Sequence, residues 1–499
     1  MQKKLFGDTV IYGLSSIVGR TLNYLLVPLY TSIFMPGEYG IVTELYVYTA
    51  FFNVFFIYGM ETAFFRFASK AGPSSKVFHI SQTLIFISTT VFGLILTLST
   101  PWISAALEYE KEINLFYWVI LIICFDAIVA LPFAKLRLEG KSWRFAAYKL
   151  SNITINMALN LFFLVVCPYL VDNFEAWDTW LSGVYDPEIG VGYVFLSNLI
   201  ANALYLVFFT GTWFKFRFVW DTVTSRKMLA YALPISVLGL AGVTNEMLSR
   251  SMLRFRLPDN YYEGLGNLDA LGIFGAVYKL SIFMTLVVQA FKYAYEPFFF
   301  NKSGSANSRL INAEVMNYFI IFICLGWLGL VVVLPDIAPI FLRQALYLQG
   351  LQAVPLLLGA GALLGILYNL SVWYKLTDNN WYGALISVLG ALVTIIGNFW
   401  LIPFFGYMGS AWTSFFAFLI MVIISFILGQ KFYPIPYRVG NALIYFSICT
   451  MSVMVLNFAE LSILFHYLLG LTFVVLFVFV VVKMEKPKGL STFVRQKIR

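Results

Sequence analysis

Apolar stretches of about twenty residues or more follow one another along this chain, each closed by a short polar or Pro/Gly-marked turn. Windows long enough to cross about 30 Å of hydrocarbon as a helix fall at 8–34, 38–66, 77–100, 113–134, 145–171, 190–213, 228–253, 270–298, 314–335, 350–374, 381–403, 407–430, 439–457 and 461–482, here spans 1 to 14. The pattern predicts an all-α polytopic membrane protein of about fourteen transmembrane helices. No loop exceeds about twenty residues, which leaves no room for a globular domain between helices. Whatever the chain does is expected to happen within the membrane.

Composition agrees. Of 499 residues, 60% are hydrophobic and only 12% charged, and the mean hydropathy is +0.82, outside the balance of a soluble domain. The first apolar segment starts near residue 9 and runs past residue 30 with no small-residue cleavage site after it, so it is expected to be a retained helix rather than a secretory signal. Lys and Arg gather on one side: 25 of the 33 lie at the termini or in every second loop, and only Lys111, Arg254, Arg256 and Arg343 fall in the opposite loops. The segment 172–190, DNFEAWDTWLSGVYDPEIG, carries five carboxylates and no base on that opposite side. Because basic residues accumulate on the cytoplasmic face, both termini are predicted to be cytoplasmic. The net charge of +8 is then a consequence of topology and gives no reason to expect nucleic acid as a partner. Cys124, Cys167, Cys324 and Cys449 all lie in apolar spans without a close CxxC pair, and His79 and His466 have no ligand-spaced neighbours, so neither disulfides nor a metal are expected. A GxxxxGK[ST] phosphate loop is absent, which argues against nucleotide-driven pumping by this chain.

Span 2 with its following loop aligns without a gap on residues 269–304. Gly40, Ile41, Tyr46, Phe51, Phe67, Lys70 and Gly72 then coincide with Gly272, Ile273, Tyr278, Phe283, Phe299, Lys302 and Gly304. This repeat makes spans 1–6 and 7–12 two parallel six-helix lobes, with spans 13 and 14 an appended C-terminal pair: 1–220, 221–432 and 433–499. Parallel repeats place a substrate site between the halves near the midplane and work by rocking them alternately.

Nine charges remain inside the spans: Arg20, Arg250, Lys279, Lys292, Glu44, Glu61, Asp126, Glu246 and Glu296. Each costs a few kcal/mol or more at mid-bilayer if it faces lipid, and eight of the nine lie in spans 1, 2, 7 and 8. Tyr12, Ser16, Arg20, Asn23 and Tyr30 form one polar stripe on span 1; Asn245, Glu246, Ser249, Arg250 and Arg254 form another on span 7; Gln289, Lys292 and Glu296 share a face of span 8. Stripes of this kind suit an aqueous cavity, and one lined by cations favours an anionic solute. Plainer readings fit some members. Glu246 with Arg250, and Lys292 with Glu296, sit at i and i+4 and suit structural pairs. Glu61 lies five residues from Arg66 near the cytoplasmic end, where an interfacial pair would account for it. Asp126, alone on span 4, suits an interhelical hydrogen-bonding group. Arg20 and Lys279 have no opposite charge one turn away and are the better ligand candidates. Tyr and Trp near span ends, such as Trp118, Trp180, Trp213 and Tyr437, read as interfacial anchors.

The polar-striped first span, the PGEYG turn (36–40), YALPISVLGLAGVTNEMLSR (231–250) and LGIFGAVYKLSIFMTLVVQAFKYAYEPFFF (271–300) together resemble the polysaccharide-biosynthesis branch of the multidrug/oligosaccharidyl-lipid/polysaccharide exporter superfamily, the branch of O-antigen and capsule-unit flippases and the lipid II flippase. The resemblance runs over the whole chain and is most specific at the ALP of span 7, at Arg250, and at Gly272, Tyr278, Lys279, Gln289, Ala290, Phe291 and Pro297 of span 8. Family members often carry an acid directly before the span 7 arginine; here Ser249 stands there, with Glu246 one turn earlier. The loop RFRLPDNYYEGLGNLDA also looks longer than usual.

What the resemblance implies is a transporter, not an enzyme, without a cofactor. Its cargo would be a lipid-linked oligosaccharide, usually undecaprenyl-diphosphate bound, moved from the inner to the outer leaflet of a bacterial cytoplasmic membrane for polysaccharide, O-antigen or capsule synthesis. A polysaccharide polymerase and glycosyltransferases would be its functional partners, and membrane lipids its surroundings. Arg20, Arg250, Lys279 and Lys292 are then the expected substrate-binding cations, with Ser16, Asn23, Asn245 and Gln289 as polar cavity residues. Glu44, Glu61, Asp126, Glu246 and Glu296 are the acids available to a coupling ion. A multidrug cation antiporter of the same fold should instead present acids to its cavity. A membrane glycosyltransferase or O-antigen polymerase should carry a large extracytoplasmic loop, which this sequence lacks. A structural scaffold would leave the polar stripes in both halves unexplained.

Overall fold

In hydrocarbon a backbone N–H has only its own segment to bond to, so apolar runs of this length become helices. The computed structural model describes residues 18–19, 22, 24–71, 75–174, 181, 183–289, 291, 308–377, 379, 381–459 and 462–485. Among them every predicted span meets a helix. Eleven helices are long and apolar enough to cross a membrane, and Gly192–Phe208 is a shorter apolar one at span 6. One of the eleven, Trp381–Phe432, contains spans 11 and 12 in 52 residues, divided at Gly406, where φ is 56°. Span 1 is described as a helix over Leu26–Ile33. Apart from an isolated bridge between Tyr262 and Leu265, the described residues contain no β-structure. The protein is an all-α polytopic membrane protein.

Several helices are broken where the sequence allows it. Span 2 is Pro36–Ile57 followed by Met60–Ala71, interrupted by Tyr58 (φ 36°) and Gly59 (φ 73°). A Cβ at position 59 would stand 2.7 Å from the carbonyl oxygen of Ala232, so only glycine serves there, both for its left-handed backbone and for the close approach of the first half of span 7. Span 5 widens into a π turn at Phe162–Val166 immediately before Cys167–Asn173, whose Pro168 lacks the N–H that a regular helix would use. The start of span 2 and the start of span 8 share a device: the Glu38 carboxylate accepts from the Met35 N–H at 2.9 Å, and the Asp269 carboxylate from the Gly266 N–H at 2.9 Å. Both acids sit in the first turn, where the helix dipole also favours them.

The chain divides into two compact units, Met1–Val243 and Thr244–Arg499, the division falling within the span 7 helix, Thr222–Arg256. In the first unit Met60, Ala63, Phe64, Phe78, Leu131, Met228 and Ala232 join spans 2, 3, 4 and 7 in one core. A second cluster joins spans 4, 5 and 6, with Phe133 edge-on to Tyr205 and to Phe209, each at 5.0 Å. In the second unit Trp327 is buried and donates its indole N–H to the Pro355 carbonyl at 2.8 Å, binding span 9 to span 10. Trp373, equally buried, stacks on Phe432 at 12° between ring planes.

Spans 13 and 14 dock on span 9. The Cys449 thiol donates to the Cys324 carbonyl (3.3 Å), and Tyr445 and Phe477 pack together at 6.0 Å. Their far end is clasped by Glu485, whose carboxylate accepts from Asn317 (2.8 Å), Tyr445 (2.9 Å), Asn441 (3.2 Å) and Arg438 (2.7 Å). Glu485→Ala would leave donors from two other helices unpaired. It should lower the stability of the detergent-solubilised protein by about 1–3 kcal/mol, read as an earlier thermal unfolding midpoint, whereas Glu485→Gln should recover part of the loss.

Candidate substrate site

In the second unit, span 7 turns two sets of polar residues in different directions. Asn245 and Ser249, four residues apart and so on one face, address spans 11 and 12. Asn245 donates to the Ser387 carbonyl (3.1 Å) and accepts from Thr394 (3.2 Å). Asn398 donates to the Ser249 hydroxyl (3.0 Å) and to the Thr394 carbonyl (2.7 Å), and Ser410 donates to the Ser249 carbonyl (3.3 Å). Polar contacts between helices in lipid hold them in register, so Asn245 works here as interhelical attachment. Arg250, about 100° round the helix from Ser249, turns to span 8.

The Arg250 side chain is buried, with its guanidinium 3.9 Å above the Tyr278 ring and Nη1 3.1 Å from the Met247 sulfur. Its Nε is shut off from solvent and has no hydrogen-bond partner among the described residues. Lys279, next in the chain to Tyr278, lies within electrostatic reach of Arg250. Two cations gathered in an apolar bundle repel one another and attract an anion strongly, because little water screens them. The cation-π contact orients the guanidinium and leaves its charge intact. Glu246, one turn before Arg250, lies on an exposed side of the helix. Gln289, farther along span 8, has a buried Oε1 with no donor among the described residues.

In the first unit the predicted acids occupy three separate settings. Glu44 is completely buried, and its two oxygens accept from the hydroxyls of Tyr48 (2.6 Å) and Tyr109 (2.7 Å). Asp126 accepts from Asn202 (3.0 Å), which in turn accepts from Asn152 (3.0 Å). Asn53 also bonds Asp126, and Lys149 lies within its electrostatic reach. These side chains come from spans 2, 4, 5 and 6. Lys149, counted by sequence with the cytoplasmic bases, belongs to this network: its ammonium sits 4.4 Å from the Phe133 ring centre, two turns inside the helix Ser142–Leu161. Glu61 pairs with Arg137 of span 4, not with Arg66, whose guanidinium lies 4.1 Å over the Tyr231 ring. Five helical residues are about 140° apart, which sends Glu61 and Arg66 to different neighbours.

Arg20, Ser16, Asn23, Lys292 and Glu296 lie outside the described residues. Sequence reading passed over Tyr48, Tyr109, Thr394, Asn398 and Ser410 as site neighbours, since single hydroxyls and amides in apolar runs carry no spacing signal. Tyr278 was visible through the repeat and through the resemblance of span 8.

The geometry is that of a polytopic helical protein with Arg250 and Lys279 close together in the second unit and the buried acids Glu44 and Asp126 hydrogen-bonded in the first. No family model and no curated protein sequence matches the chain. Solved structures do. The lipid II flippase MurJ in an inward closed conformation superposes with a TM-score of 0.69 at 13% identity, over 95% of this chain and 99% of that one. A multidrug resistance MATE family transporter of the MOP superfamily, inward-facing, gives 0.58 at 14% identity, over 85% and 97%. A MATE protein in complex with MaD3S gives 0.56 at 13%, over 85% and 95%. The fold is therefore the one that a lipid II flippase shares with MATE transporters.

Asp126→Ala removes the counter-charge of Lys149 and an acceptor for two asparagines. It should destabilise the protein by about 2 kcal/mol, whereas Asp126→Asn, which keeps an acceptor oxygen, should unfold close to wild type in the same thermal assay.

Proposed function

We propose that this chain is a flippase that carries a lipid-linked oligosaccharide, joined to undecaprenyl through a diphosphate, from the inner to the outer leaflet of a bacterial cytoplasmic membrane. The observation that carries the reading is the cluster of Arg250 on Tyr278 with Lys279 beside it, cationic chemistry deep in an apolar unit with an Arg250 Nε still lacking an acceptor. A diphosphate satisfies such a cluster, and guanidinium is the group best suited to phosphate oxygens. The fold comparison supports it: the structure titled a lipid II flippase is matched over 95% of this chain, against 85% for the MATE transporters. That difference is about the size of the C-terminal helix pair.

On this reading Arg20, Arg250, Lys279 and Lys292 draw the headgroup out of the inner leaflet's surface into the protein, while the polyprenyl tail remains in lipid. Alternating access then exposes the headgroup on the other side. Outward movement of an anion follows the membrane potential, worth about 2.3 kcal/mol per charge per 100 mV, so voltage alone gives the direction. Glu44, Glu61, Asp126, Glu246 and Glu296 are the acids that would hold a coupled ion, and Glu44, fully buried, is the most secluded of the described ones. A polymerase and glycosyltransferases would act before and after the transfer. A drug-cation antiporter fits poorly with cations at Arg250 and Lys279.

The test is export of lipid-linked glycan in cells carrying this chain as their flippase. Arg250→Gln and Lys279→Gln should each reduce it by about tenfold or more, the effect of losing one charge-assisted contact, at unchanged protein level. Arg20→Ala should abolish it. Undiminished export in the Arg250 and Lys279 variants would refute the anion-binding assignment.

A further inference from the structure

Arg256 is one of only four bases on the side opposite to the bulk of Lys and Arg, so topology gives no reason for its charge. It ends the span 7 helix. Its guanidinium lies 3.9 Å over the Phe399 ring, one Nη donates weakly to the Phe399 carbonyl (3.5 Å), and its Nε is enclosed with no acceptor. No carboxylate forms an ion pair with it among the described residues. Around it the second unit displays Phe255 (55% exposed), Trp400 (62%), Phe404 (69%) and Phe405 (53%). The backbone that presents Phe404 is held in place, since Tyr261 donates to the Phe404 carbonyl at 2.7 Å and Tyr262 stacks on Tyr407 at 4.7 Å and accepts from its N–H at 3.1 Å.

Spans 7 and 11 end and span 12 begins at this level, so it coincides with the headgroup layer, where aromatic rings are favoured. A guanidinium fixed by cation-π stacking amid such rings has the two recognition elements of a phospholipid: a donor set for the phosphodiester and apolar faces for the glycerol and upper acyl chains. We propose that Arg256, Phe399, Trp400 and Phe404 form a binding site for the phosphodiester of an anionic glycerophospholipid at the rim of the second unit. The inference is independent of the cargo assigned above, because it uses neither Arg250 nor Lys279. Snorkelling would also bring an arginine to this depth, but it would leave the guanidinium in water instead of stacked over a ring with its Nε enclosed.

The test is native mass spectrometry of the full chain released from detergent micelles containing phosphatidylglycerol, phosphatidylcholine or inorganic phosphate. Wild type should retain phosphatidylglycerol in preference to phosphatidylcholine, and Arg256→Gln should lower that retention about fivefold, the worth of one basic residue at a membrane surface. Trp400→Ala with Phe404→Ala, at exposed positions that the fold does not need, should also lower it. Equal phosphatidylglycerol retention by wild type and by these variants would overturn the proposal. So would inorganic phosphate binding as strongly as the lipid, which would make the site one for free anions.

Discussion

Hydrocarbon offers no hydrogen bonds and hardly any screening, and every notable feature of this protein answers that constraint. The backbone answers it with helices that satisfy themselves internally. Where a helix is broken, the break is supported by protein: Gly59 lies against the Ala232 carbonyl, and the hinge at Gly406 is covered by Tyr262, whose hydroxyl accepts from the Tyr407 N–H at 3.1 Å. Side-chain polarity answers it by pairing. Glu44 has its two tyrosines, Asp126 its asparagines and lysine, Glu61 its arginine, and Glu485 four donors.

Arg250 departs from that pattern. Among the described residues its side chain meets a ring face and a sulfur, neither of which neutralises a charge. A buried cation held in this way is costly in an apolar surrounding, and on the proposed function an anionic headgroup would offset that cost. Arg256 is held in a similar way, with its guanidinium over the Phe399 ring. In both cases an aromatic ring fixes the direction of the guanidinium without occupying its N–H donors.

The two units use their polar groups differently. In the first, polar side chains from spans 2, 4, 5 and 6 bond to one another and tie the bundle together. In the second, Asn245, Ser249, Thr394, Asn398 and Ser410 do this between spans 7, 11 and 12, while the neighbouring face of span 7 is left for the cations. A single helix thus bonds spans 11 and 12 on one face and carries Arg250 against Tyr278 on the next, because a step of one residue turns a side chain by about 100°.

Span positions and the all-helical architecture were legible in the sequence because they depend on local hydropathy, which acts over the length of one helix. The set of charges that must be accounted for was legible for the same reason: Arg250, Lys279, Glu44 and Asp126 stand out against apolar neighbours. Partners were not. That Glu61 meets Arg137 across 76 residues, that Lys149 leaves the cytoplasmic bases to join Asp126, and that Arg250 rests on Tyr278 depend on which faces of distant helices meet. Only tertiary packing decides that, since each helix by itself presents its side chains to every direction equally.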